Sequence, residues 1–121
     1  MAELDDFYTA VGSNAQDIIS RLGGDATMVK LFLSKFPSDK SIDTLRENLN
    51  AGETELAFRA AHTLKGLCAN LGLQTLFDKA STITEMLRGG DIEAARLYLP
   101  ALEQEYTKTI AALKLIGIGN N

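Results

Sequence analysis

The sequence contains no tryptophan, one cysteine, one histidine and two prolines among 121 residues. A single cysteine excludes a disulfide within the chain, and because Cys68 lies in an apolar run we expect it to be a small buried side chain. One histidine and one cysteine supply too few ligands for a zinc or iron site of imidazole and thiolate. The net charge of −4 lacks the basic excess that binding to nucleic acid requires, and it disfavours anionic membrane surfaces equally.

Long apolar runs are also missing. No stretch reaches the ~20 apolar residues of a membrane span, and the acidic start MAELDDFYTAVG differs from the basic and apolar start of a secretory signal. We therefore expect a cytoplasmic protein that does not associate with membranes. With 45% hydrophobic and 23% charged residues, the composition is typical of one folded domain.

Apolar residues recur at intervals of three to four positions, as in the series Leu76, Ala80, Ile83 and Leu87. Alternation typical of β-strands is absent. The pattern predicts main helices over roughly 26–50, 53–71, 74–88 and 92–115, with one or two short helices within 3–12 and 15–22. Because the connections are short, the fold class that we expect is all-α, an antiparallel up-down four-helix bundle with short N-terminal helices.

Glycine pairs and capping residues mark the predicted helix ends. The segments LGGDA, NAGET and RGGDI offer Asp25, Thr54 and Asp91 as N-caps, and Gly72 is a candidate C-terminal cap. Pro37 and Pro100 fall inside the first and last main helices, where each removes a backbone N–H and predicts a kink or a restart.

The whole chain is predicted to be a single domain over 1–121. The short helices occupy 3–22, the bundle 25–115, and a frayed tail 116–121.

The histidine lies in AAHTLKGLCANLGL, residues 60–73. A helix advances ~100° per residue, which collects an apolar face of Ala57, Ala60, Leu64, Leu67 and Leu71, with Cys68 at its edge. His62 points away from this face. Its own face carries Glu55, Phe58, Lys65, Gly66 and Ala69, with Arg59 and Asn70 at the margins.

Each residue on that face has an ordinary structural explanation, since single exposed histidines and lysines are common. Together they describe an imidazole with clear access over Gly66, a cation at Lys65 and an apolar rim at Phe58. A neutral imidazole nitrogen can accept a phosphoryl group, and a lysine can offset the charge of that group. The chain has no glycine-rich nucleotide loop, so the phosphoryl group would come from another protein.

The motif HTLKGLCANLGL resembles the signature of histidine-containing phosphotransfer (HPt) domains of two-component phosphorelays, roughly H-x-L-K-G-small-small-x-x-L-G. The residues that fit this pattern are His62, Leu64, Lys65, Gly66, Leu71 and Gly72. The resemblance covers roughly residues 25–115. It implies a four-helix bundle in which His62 is phosphorylated on Nε2 and exchanges the phosphoryl group with aspartates of receiver domains.

The resemblance also implies roles for the neighbouring residues and for the partners. Lys65 lies near the phosphate, and Gly66 with neighbouring small residues lets the receiver dock. The face around His62 offers Phe58, Arg59, Ala69 and Asn70 as the docking residues. The partners are response-regulator receiver domains and a hybrid histidine kinase. The receiver supplies Mg²⁺ and most catalytic groups, so we expect a monomeric shuttle with no cofactor or kinase activity of its own.

Two departures from the family pattern stand out. Leu67 and Cys68 occupy positions where many members have small residues, which predicts altered packing there. Thr84 stands where the family often has a polar side chain, commonly glutamine, that forms a hydrogen bond with the histidine ring. The shorter threonine is a candidate for that bond, and water or Lys65 could replace it.

Two alternatives remain open from the sequence. The chain could be a helical adaptor that binds receiver or kinase domains without accepting phosphate, through Phe58 and the strip at Ala69. It could also be the dimerisation and phosphoacceptor region of a histidine kinase, although Thr63 replaces the acidic residue that usually follows the histidine there.

Overall fold

The computed structural model describes residues 2–119, and its regular structure within them is entirely helical. The α-helices are α1 (Ala2–Ala10), α2 (Ala15–Arg21), α3 (Ala26–Ser34), α4 (Ser41–Ala51), α5 (Thr54–Leu71), α6 (Gln74–Arg88) and α7 (Ile92–Leu115). A 3₁₀ helix, Phe36–Ser38, separates α3 from α4. No helix within residues 2–119 has the length and apolar character needed to cross a membrane.

Helices α4 to α7 form a four-helix bundle. Helix α5 packs against α4 and α6, and α7 closes the bundle by packing against α6 and α4. Two or three residues join each helix to the next, so the chain reverses at every connection and neighbouring helices are antiparallel. The predicted all-α, up-down four-helix bundle is confirmed.

The prediction of one continuous helix over 26–50 is wrong. Helix α3 ends at Ser34, and Pro37 falls in the 3₁₀ turn, where its missing N–H costs no α-helical hydrogen bond. Asp39 then adopts an extended conformation with ψ of 137°. Its carboxylate accepts a hydrogen bond from the Ser41 amide at 2.9 Å, which begins α4. The restart predicted at Pro37 is therefore confirmed, and α3 is a separate short helix.

Of the other predicted helix boundaries, two N-caps are confirmed and one is wrong. The Asp25 and Asp91 carboxylates accept backbone hydrogen bonds from Thr27 at 2.9 Å and Ala94 at 3.0 Å, as capping residues do. Thr54 is the first residue of α5 instead of its cap. Helix α7 runs on through Pro100, so no restart occurs there.

The N-terminal helices belong to the same core as the bundle. Tyr8 of α1 is fully buried, and its hydroxyl donates a hydrogen bond to the Leu71 carbonyl at 2.9 Å. The Ser13 hydroxyl, in the α1–α2 loop, donates to the Gly72 carbonyl at 2.5 Å. Both bonds hold the N-terminal segment against the C-terminal end of α5, the helix that carries the histidine.

The tail predicted to fray from residue 116 instead folds back as far as the description extends. The Ile118 amide donates to the Leu113 carbonyl at 3.0 Å, and the Ile118 side chain is only 7% exposed. Residues 120 and 121 of the predicted tail lie outside the described residues.

Candidate functional site

The only histidine lies in the middle of α5 and faces solvent. The opposite side of α5 is fully buried at Ala57, Ala61, Leu64 and Cys68, all at most 1% exposed. An apolar stripe of this kind faces the core, and the residues between its members point outward. The outward direction predicted for His62 is confirmed.

The positions predicted around the helix axis are wrong for two residues that follow His62. Leu67, predicted in the core, is only half-buried, while Cys68, predicted at the edge, is completely buried. Burial raises the pKa of the Cys68 thiol to about 12, as desolvation of a thiolate requires. The departure from the family pattern at these two positions therefore concerns core packing at Cys68 and surface shape at Leu67.

Phe58, one turn before His62, lies against the imidazole. The two rings are nearly parallel, with an interplanar angle of 6° and centroids 5.9 Å apart, the geometry of an offset stack. On the neighbouring helix α6, the guanidinium carbon of Arg88 lies 5.0 Å from the centroid of the Phe58 ring. Phe58 thus contacts both His62 on its own helix and Arg88 on α6.

Lys65 stands three residues after His62 and extends toward α6. Its ammonium nitrogen is 6.0 Å from the centroid of the Phe77 ring, at the outer limit of a cation–π contact. Within residues 2–119 Lys65 forms no ion pair. Its charge is therefore not neutralised by a carboxylate and is available to an incoming anion.

Gly66 leaves an opening beside the histidine. A Cβ atom placed on Gly66 would have open space around it, with no atom outside the local helix within 4 Å. Packing inside the protein therefore does not require glycine here, although a glycine in a helix costs about 1 kcal/mol relative to alanine. The flat surface that it leaves is exposed to solvent.

Thr84 does not form the hydrogen bond expected from the family pattern. Its side chain is fully buried in α6, and its hydroxyl donates to the Ala80 carbonyl at 2.6 Å. In the part of the chain that the structure describes, His62 makes no side-chain hydrogen bond at all. The imidazole instead contacts the Phe58 ring.

The residues expected to dock a partner lie on different sides of His62. Arg59 pairs with Glu55 at 3.0 Å and borders a groove beside α4. Ala69 lines a surface cavity of about 630 Å³ shared with the α1–α2 loop and Phe77. Asn70 lines a second cavity, of about 510 Å³, beside α3. The structure thus brings Phe58 and Lys65 to the α6 side of the histidine, and Arg59 and Asn70 to the other.

Sequence reasoning missed Arg88 and Phe77. Both belong to α6, more than ten residues from His62 in sequence, and no local pattern links them to the histidine helix. The only available signal was the periodicity of α6 itself, since it predicted a helix long enough to run beside α5.

The site therefore combines an exposed imidazole, a cation without an ion-pair partner in residues 2–119 one turn away, and an unobstructed surface. Within residues 2–119, no three histidine, cysteine, aspartate or glutamate side chains gather into a group that could hold a metal ion.

Comparison with known proteins identifies the family. No curated protein and no solved structure matched the chain. The model of the Hpt domain family matches residues 27–112, which is most of the chain and contains the histidine motif. The chain belongs to the Hpt domain family, whose members transfer phosphoryl groups in two-component systems together with receiver domains and kinases.

Proposed function

We propose that this protein is a phosphorelay intermediate in which His62 accepts a phosphoryl group from the aspartate of one receiver domain and passes it to the aspartate of another. The observation that carries the proposal is the position of His62, which is exposed in the middle of α5, on the side of the helix opposite its buried apolar stripe. The membership in the Hpt domain family supports it.

The transfer step balances without a cofactor in this chain. The lone pair on Nε2 of the neutral imidazole attacks the phosphorus of the aspartyl phosphate, a P–N bond forms, and the P–O bond to the aspartate breaks. The electron pair of that bond stays on the aspartate as a carboxylate, and the ring retains its proton on Nδ1. Onward transfer is the reverse reaction with a second aspartate.

Lys65 and Gly66 have separate roles in this proposal. The Lys65 ammonium group lacks an ion-pair partner within residues 2–119, so it can turn from Phe77 toward a phosphoryl oxygen and stabilise its charge. Gly66 provides the space for the receiver to bring its aspartate in line with the ring nitrogen, since any side chain at that position would project into solvent.

The receiver domain supplies the remaining chemistry. Mg²⁺ and the groups that stabilise the transferring phosphoryl come from the partner in this proposal, as positioning and charge neutralisation dominate phosphoryl transfer. The protein acts as a cytoplasmic monomer that binds each partner transiently through the surface around His62. Such an interface is small, with an apolar centre and a polar rim.

The experiment is phosphoryl transfer from a phosphorylated receiver domain with Mg²⁺, comparing the wild-type protein with His62→Gln. We expect label on the wild type only, with the acid lability and alkali stability of phosphohistidine, and unchanged helical content in the variant. Labelling of His62→Gln would overturn the proposal. Binding to receivers that is indifferent to the substitution, with no label on either protein, would identify an adaptor. A stable dimer in sedimentation would instead favour the dimerisation region of a histidine kinase.

A further inference from the structure

We infer that Phe58, covered in turn by Arg88, is the positioning residue that orients the His62 ring for phosphoryl transfer. The inference rests on the proposed function and adds the residue that performs the task for which Thr84 was the sequence candidate. Its basis is the nearly parallel stack of the two rings, at an interplanar angle of 6°.

An exposed imidazole needs such a restraint. Rotation about the terminal χ2 bond of histidine is broad and shallow, and within residues 2–119 no side-chain hydrogen bond restricts it at His62. The Thr84 hydroxyl is buried and engaged by the Ala80 carbonyl. The stack with Phe58 is therefore the contact that selects a ring plane.

Phe58 can act as a restraint because it is itself held. Its side chain is half-buried and packs against the hydrophobic core. The Arg88 guanidinium lies 5.0 Å from its ring centroid, and the Arg88 Nε donates to both carboxylate oxygens of Glu85 at 3.1 Å. The chain Glu85–Arg88–Phe58 thus connects the ring that contacts His62 to the end of α6.

The geometry suits the reaction because both imidazole nitrogens lie in the plane of the ring. At a centroid separation of 5.9 Å the parallel partner overlaps only part of one face of the imidazole, and it takes up neither ring nitrogen as a hydrogen-bond partner. A hydrogen-bond partner would instead occupy one edge. The adjoining surface at Gly66 is also open, so the stack can fix the ring plane without closing the path of the receiver.

The test compares Phe58→Leu with Phe58→Tyr, using the full chain. Nuclear magnetic resonance of the His62 ring protons reports the stack directly, since an aromatic face shields protons that lie over it. We expect those resonances to move downfield in Phe58→Leu and to stay near their wild-type positions in Phe58→Tyr. Unchanged resonances in Phe58→Leu would overturn the inference.

The kinetic arm separates positioning from docking. An aromatic pair is worth about 0.5–1.5 kcal/mol beyond its buried area, so Phe58→Leu is expected to slow transfer at saturating receiver by about three- to tenfold. The Kd for the receiver should change less than about twofold, and Phe58→Tyr should restore the rate. A weaker Kd with a normal saturating rate would make Phe58 a docking residue and overturn the inference.

Two further measurements keep the outcome interpretable. Leu97→Ala is the control variant. The Leu97 side chain is 85% exposed, and it belongs to α7, which packs against α6 and α4. The substitution should leave both the ring-proton resonances and the transfer rate unchanged. Phosphoramidate, a small donor that releases ammonia when its P–N bond breaks, probes the ring without docking and should show the same loss in Phe58→Leu. Failure of the wild type with every donor would reject the proposed function, whereas equal uptake by wild type and Phe58→Leu would reject only the present inference.

Discussion

The side chain of Ile18 on α2 packs directly against the backbone of Gly72, the residue that ends the histidine helix. A Cβ atom on Gly72 would overlap the Ile18 side chain, lying 2.6 Å from its Cγ1. Gly72 also has a φ of 74°, in the left-handed region. The glycine of the histidine motif therefore serves both as the helix cap and as the contact surface for the N-terminal helices.

Replacement of Gly72 by alanine should destabilise the protein strongly. The left-handed conformation costs a non-glycine residue about 1–2 kcal/mol, and the clash with Ile18 adds about 1–3 kcal/mol, so we expect the free energy of unfolding to fall by about 2–5 kcal/mol. Urea denaturation of the wild type and the variant measures this difference in the free energy of unfolding. Gly52→Ala is the matched control, because Gly52 has the same φ of 74° but only the Arg96 guanidinium near its Cβ position, at 3.7 Å. Equal losses for the two variants would contradict the packing argument.

Replacement of Gly66 should separate stability from function. Gly66→Ala should raise the free energy of unfolding by about 0.5–1 kcal/mol, because alanine favours a helix and its Cβ meets open space. Gly66→Gln should fold normally, take up phosphate from phosphoramidate and fail with a receiver. Chemical denaturation and the two labelling assays measure these effects. Normal transfer from the receiver to Gly66→Gln would show that access over this position is not needed.

Removal of the Lys65 charge should slow transfer without changing the fold. A charge-assisted contact at a partly exposed site contributes about 1 kcal/mol, so we expect Lys65→Ala to lower the rate about five- to tenfold and to shorten the lifetime of the phosphoprotein. Lys108→Ala removes a lysine from α7, away from the site, and serves as the control. Wild-type rates in Lys65→Ala would exclude the proposed role, and equal losses in both variants would indicate a general effect of net charge.

The Cys68 thiol should be inert while the protein is folded. Burial raises its pKa to about 12, so at pH 8 the reactive thiolate is almost absent, and the side chain is 0% exposed. A disulfide reagent such as dithiobis(nitrobenzoate) should label Cys68 in the native protein only as fast as the core opens. In urea it should label the one thiol at once. Rapid labelling of the native protein at pH 8 would place Cys68 outside the core.

Helix boundaries show how far local sequence signals reach. The caps at Asp25 and Asp91 and the break at Pro37 follow from chemistry within a few residues, namely a carboxylate that accepts a nearby amide and a missing N–H. At Pro100 the same local rule predicted a kink or a restart, and no restart occurs, since α7 continues through that residue. Helix α7 packs against both α6 and α4, and such packing can outweigh the loss of one backbone hydrogen bond.

The candidate site likewise has features that follow from the sequence of one helix and features that depend on the packing of several. The sequence by itself determined that His62 faces solvent, with Lys65 and Gly66 on the adjoining turn, because helical periodicity and one apolar stripe are enough to orient a helix. It also carried the family motif. These are relations between residues on one helix, at fixed angles around one axis.

Only the tertiary structure decided what surrounds that face. The cover of Arg88 over Phe58 and the packing of Ile18 on Gly72 join residues that are distant in sequence, and the packing of α6 buries Thr84, whose hydroxyl bonds within its own helix. Periodicity states which side of a helix is buried, but the neighbour that buries it depends on how α2 and α6 pack against α5. Contacts of that kind are set by the complementary shapes of whole helices, and no single segment of the chain contains them.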